Sequence, residues 1–144
     1  MKEPETVRIL QVDQDREFLS VTAEMLERRD EPFDVVGETR ADSGLRRLRE
    51  THFDCVVSGC RLPDRDGLDF LAAVRREHPE LPTVLFAANP RRKLPIDEYD
   101  RAVSVYANKG FGTEQFSTLA QVILSTVERS RKPSSSAITR DGNS

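Results

Sequence analysis

The sequence predicts an α/β fold: a doubly wound, five-stranded parallel sheet with helices on both faces, three layers deep. Three observations predict it. Short β-branched runs recur along the chain, each of a length that suits a buried strand. Stretches with apolar residues at helical spacing separate them. The runs also close on polar turns, Asp13 after the first and Gly59-Cys60-Arg61 after the third.

The elements follow in order. Arg8 to Val12 is the first strand. Asp15 can cap the next helix, because its carboxylate accepts the free N–H groups of a first turn. Phe18, Val21, Met25 and Leu26 give that helix an apolar stripe. Phe33 to Val36 is the second strand, and Leu45 and Leu48 mark a short helix running to about Glu50. Cys55 to Val57 is the third strand. Leu68, Leu71 and Val74 stripe the helix after it, which stops before Pro79 because the residue preceding a proline disfavours helical geometry. Thr83 to Phe86 is the fourth strand. Asn89 to Pro95 then breaks the rhythm with two prolines and three cations, leaving about Asp97 to Ala102 for a helix. Val103 to Tyr106 is the fifth strand. Phe116, Leu119, Ala120, Ile123 and Val127 form one stripe on the last helix. Glu114 suits its positive end, Arg129 and Arg131 its negative end, and Pro133 terminates it.

At 144 residues the chain fits one domain, expected over residues 6–130. Residues 131–144 read as a disordered tail or linker, with Ser134 to Ser144 small and polar and nothing there to bury. Charged residues make up 33% with a net charge of −3, and no basic stripe stands out, so nucleic acid is not an expected partner. No apolar run approaches the roughly 20 residues of a membrane helix, and no signal peptide opens the chain. The two cysteines, Cys55 and Cys60, lie too close together for a disulfide and read as reduced thiols, so a cytoplasmic location is expected.

In a parallel sheet with right-handed crossovers, every strand's carboxyl end lies on one edge, where ligand crevices form. Asp13, Gly59, Ala87 and Lys109 all sit just past predicted strands, so they should converge.

Leu-Gln-Val-Asp13, Arg-Leu-Pro-Asp-Arg-Asp-Gly67 and Asn-Lys109, in this order and spacing, resemble the acidic turn, acceptor loop and lysine turn of CheY-like response-regulator receiver domains. The run Lys-Gly-Phe-Gly-Thr-Glu-Gln115 looks most like receivers that open archaeal multidomain sensor proteins. The resemblance implies a flavodoxin-like fold and a place in two-component or phosphorelay signalling. It also implies a site in which carboxylates hold Mg²⁺ and an aspartate accepts a phosphoryl group. This chain departs from that pattern at several positions. Gln14 stands where the second acidic residue would be, Gly59 at the acceptor, four residues before Pro63, and Ala87 at the hydroxyl that closes strand four. Asp13 and Lys109 match.

The leading expectation is therefore an atypical receiver, a pseudo-receiver that catalyses nothing and acts through protein contact. Its partner would be a histidine kinase or downstream effector, with homodimerisation open; no cofactor and no membrane partner is expected. Arg91, Arg92, Lys93 and Tyr106 are candidate contact residues. Two alternatives stay open. One keeps phosphoryl transfer on a substitute acceptor, Asp13 or Asp64, with Asp13 the candidate Mg²⁺ ligand. The other is a module whose crevice binds a small molecule, or that senses oxidation through Cys60.

Overall fold

A computed structural model describes residues 6–88, 102–110 and 112–131. Along the chain come β1 (Val7–Val12), α1 (Arg16–Glu27), β2 (Phe33–Glu38), α2 (Ala41–Glu50) and β3 (Cys55–Ser58). Then follow α3 (Gly67–Glu77), β4 (Thr83–Ala87), β5 (Val105–Asn108) and α4 (Glu114–Arg131). The strands form one five-stranded sheet in the order β2-β1-β3-β4-β5. Every neighbouring pair is parallel. The chain builds outward from β1 in one direction and then from β3 in the other, so the strand order reverses between them, where open α/β sheets form their crevice.

Strand alternation divides the core in two. Leu10, Val12, Val56 and Leu85 face α2 and α3, where Leu45, Leu48, Phe70, Leu71 and Val74 cover them. Ile9, Val57, Val84, Phe86 and Ala107 face the opposite layer and pack on Leu26, Leu119, Ala120, Ile123 and Val127. Each fully buried side chain of this size contributes about 1.5–3 kcal/mol, enough to hold both helical layers in place.

The buried face of α4 is the predicted one: Phe116, Leu119, Ala120, Ile123 and Val127 are all buried. In α1 the stripe is rotated. Leu19, Thr22 and Leu26 are buried, while Val21 is 42% exposed. Val21 lies two residues from Leu19, which on a helix is the opposite side. β5 begins two residues later than expected. The Ser104 N–H donates to the Thr83 carbonyl (2.9 Å) and the Ser104 hydroxyl accepts from the Thr83 N–H (3.0 Å). That double tie holds Ala102 and Val103 as a buried bend under the core, and strand pairing starts only at Val105. β2 runs on to Glu38 and β4 to Ala87, each past its apolar run. The helix expected over about Asp97 to Ala102 and the tail both fall largely outside the described residues.

Candidate functional site

Asp13 leaves the end of β1 and is 4% exposed. Its N–H donates to the Glu38 carbonyl at 3.1 Å, which fixes the turn. Its Oδ1 accepts the N–H of Asp15 at 2.9 Å, and its Oδ2 accepts Nζ of Lys109 at 3.0 Å. Lys109 follows β5, placed there by its own N–H donating to the Ala87 carbonyl (2.9 Å). Its ammonium lies 4.5 Å from the centroid of the Phe18 ring and 5.9 Å from that of Phe86. Phe18 in turn packs against Phe86 and Phe116, with centroids 5.7 and 5.8 Å apart. A cation over an aromatic face contributes roughly 0.5–2 kcal/mol. Lys109 thus finds both a counter-charge and an aromatic seat inside the protein.

Gly59 closes the other side of the crevice, its N–H bonded to the Val12 carbonyl at 3.0 Å. A Cβ built on Gly59 would stand 2.8 Å from Oδ2 of Asp13. The Asp13 carboxylate therefore lies over the space that a residue 59 side chain would enter. On its far side Gly59 is pressed by Gly67: a Cβ there would run into the Gly59 carbonyl oxygen. The Gly67 N–H donates to the Cys60 carbonyl (2.7 Å), which brings the start of α3 against the strand end. Ser58 is fully buried and its hydroxyl donates to the Gly59 carbonyl at 2.8 Å, turned away from the crevice.

Asp13, Gly59, Ala87 and Lys109 thus converge as the topology requires. Gln14 is exposed beside them. Tyr106 is half-buried against the α2–α3 side of the core. Arg91, Arg92 and Lys93 lie outside the described residues. Asp15 caps α1, accepting the Phe18 N–H at 3.1 Å. Cys60 is exposed, but burial of its thiol pushes its pKa up, and the nearby charges of Lys109 and Arg61 offset this only in part. Its reactive thiolate is therefore scarcer than in a free cysteine.

Asp64, the other candidate substitute acceptor in the sequence, lies in the loop between β3 and α3. Its Oδ1 accepts the Ala41 N–H (2.9 Å) and its Oδ2 the Asp42 N–H (3.0 Å), so it caps α2. Burial alone would raise its pKa, but these two N–H groups and the charge of Arg40 hold it below the ordinary carboxylate value.

Two further residues escaped the sequence. Phe18 read as one more member of a helical stripe, although it is the seat of Lys109. Asp54 carried no assignment in the sequence, yet it accepts from the Arg8 N–H at 2.8 Å, from Arg131 at 3.1 Å and from His52 at 3.2 Å. It stands at the opposite edge of the sheet, beside an open groove of about 1170 Å³. The arginines lining that groove, Arg8, Arg49 and Arg131, are paired with Asp34, Glu77 and Asp54.

Residues 9–121 match the family model described as the response regulator receiver domain. The chain is 27% identical over 121 residues to the two-component response regulator ORR24 of Oryza sativa subsp. indica, covering 84% of this chain and 19% of that protein. The first curated relatives are therefore about five times longer than the matched segment, which covers 20% and 19% of them. Among solved structures, the signal receiver domain of an HD domain-containing protein from Pseudomonas fluorescens Pf-5 superposes with a TM-score of 0.76 at 22% identity, covering 92% of this chain and 97% of that one. A CheY-like receiver domain protein from Methanospirillum hungatei JF-1 superposes with a TM-score of 0.74 at 20% identity, covering 89% and 98%. With its strand order, its crevice and a family match over most of its length, the chain belongs to the response regulator receiver domain family.

Proposed function

We propose that this chain is a pseudo-receiver: it keeps the receiver fold, lacks a phosphoacceptor at Gly59, catalyses no reaction of its own, and signals by binding another protein in a two-component pathway. The observation that carries this is the closed Asp13–Lys109 pair over Gly59. In phosphoryl transfer a metal and a cation stabilise charge that develops on the moving group. Here the carboxylate and the cation neutralise each other, and no side chain at residue 59 receives anything.

The residues do not fit Mg²⁺. That ion demands near-octahedral oxygen ligands. The Asp13 carboxylate is already bonded to an ammonium and a backbone N–H. Among the described residues no group of three or more His, Cys, Asp or Glu is placed to hold a metal. Asp64 is likewise a poor substitute acceptor, since both its oxygens cap α2.

The partner is a histidine kinase or a downstream effector, and the contact face is α4 with β5, where Tyr106, Val122 and Leu124 are half-buried. A second copy of the chain is the other candidate for this face. Among the described residues no helix is long and apolar enough to cross a membrane. The test is a two-dimensional amide NMR spectrum with and without Mg²⁺ and beryllofluoride, a mimic of the acyl phosphate. The expected result is unchanged resonances at Asp13, Gly59 and Lys109. Saturable shifts confined to those residues would overturn the reading.

A further inference from the structure

We infer that Asp64 is a latch that joins the β3–α3 loop to the start of α2, so that the two segments hold or release as one unit.

α2 opens without a cap of its own. Arg40 occupies the capping position in an extended conformation (φ −131, ψ 148), and its side chain makes no cap hydrogen bond. The first N–H groups of a helix have no partner within it and need an outside acceptor. Asp64 supplies one from 23 and 22 residues along the chain, an oxygen each to Ala41 and Asp42. A negative charge there also complements the positive end of the helix. The same loop is tied a second time by Arg65, whose guanidinium lies 3.5 Å from Asp42. Within the loop, the Leu62 N–H donates to the Arg65 carbonyl (3.1 Å) and the backbones of Arg61 and Asp66 pair as a short antiparallel bridge, which closes the turn. Pulling Asp64 away would therefore move the whole turn, including the Cys60 carbonyl that holds Gly67 against Gly59.

The latch is sensitive to acid in one direction. The charged groups near Asp64 include Arg40 before α2, Asp42 within it, and Arg61, Arg65 and Asp66 in its own loop. Protonating Asp64 removes the charge that favours the helix end and one acceptor site. Because the folded carboxyl is held below its ordinary value, the latch is closed above about pH 4 and opens as pH falls through that lower value.

Amide hydrogen exchange on Asp64→Ala tests this. The protection of the Ala41 and Asp42 amides is expected to fall by about fivefold, a typical cap's worth. That of Leu62 and Gly67 should fall with it. Arg40→Asp added to Asp64→Ala gives α2 a local cap: protection at Ala41 and Asp42 should return while Leu62 and Gly67 stay unprotected. If Asp64→Ala fails to fold, Asp64→Asn, which keeps one acceptor oxygen, gives the same readout at smaller amplitude. Unchanged protection at Leu62 and Gly67 in the Asp64 variants, or its recovery with the local cap, would overturn the coupling. Unchanged protection at Ala41 and Asp42 would overturn the cap.

Discussion

Removing Lys109 should cost more than removing the carboxylate it pairs with, because the two partners differ in burial. Asp13 has a side chain 6% exposed and Lys109 one 29% exposed. Lys109→Met keeps the stem that packs on Phe18 but deletes the charge, leaving the Asp13 carboxylate buried with the Asp15 N–H as its remaining hydrogen-bond donor among the described residues. Breaking a fully buried pair this way costs roughly 3–5 kcal/mol. The partial exposure of Lys109 and the remaining hydrogen bond reduce this to about 2 kcal/mol. Asp13→Asn still accepts from Asp15, and the Lys109 ammonium keeps its aromatic seat and some water, so about 1 kcal/mol is expected. The double variant has no stranded charge, and should be about 1 kcal/mol more stable than the sum of the singles predicts. Urea unfolding at pH 7 measures all three, and the lysine variant alone should melt roughly 6–10 °C below the parent. The reasoning fails if Asp13→Asn costs as much as Lys109→Met, or if the two effects simply add.

Gly59→Ala places a methyl 2.8 Å from Oδ2 of Asp13, which must swing away from Lys109; a loss of about 1 kcal/mol is expected in chemical denaturation. In an Asp13→Ala background that conflict is gone, and the same change should stabilise by roughly 0.4–1 kcal/mol by stiffening the unfolded chain. Asp54 should shape the acid limb of the stability curve. Burial would raise its pKa, but the Arg8 N–H, Arg131 and His52 overrule this and hold it low. Its contribution is then fully present above the unfolded carboxylate value near about 4 and is lost as pH falls through the lower folded value. Asp54→Asn should therefore flatten the drop in melting temperature below about pH 4; an unaltered slope would count against its role.

The sequence made the layered fold legible because strands buried on both faces leave continuous β-branched runs, and Val56 and Leu85 mark such runs without reference to anything distant. The convergence of Asp13 and Lys109 was legible for a related reason: a parallel sheet gathers the ends of its strands whatever their separation in the chain. What escaped depends on neighbours that no local pattern names. The exposed side of Val21 was hidden because a stripe starting at Phe18 and one starting at Leu19 overlap over so short a helix. Asp64 sits in a turn-rich run where a carboxylate ordinarily faces water, and only the packing of α2 beside that loop makes it a cap. The late start of β5 came from Ser104 and Thr83, polar residues whose mutual bonds override a plausible apolar run.

The anchoring of Arg131 to Asp54 bears on how this protein can be handled. α4 is 18 residues long and begins beside the crevice, so it carries the chain about 27 Å before Arg131 reaches the far edge of the sheet. There the Ser130 hydroxyl, donating to the Glu80 carbonyl at 3.3 Å, adds a second mooring. A fluorophore or immobilisation tag attached immediately after Arg131 starts on the side of the domain away from Lys109. It leaves both the crevice edge and the length of α4 open to solution, the orientation that a surface-based search for the binding partner requires.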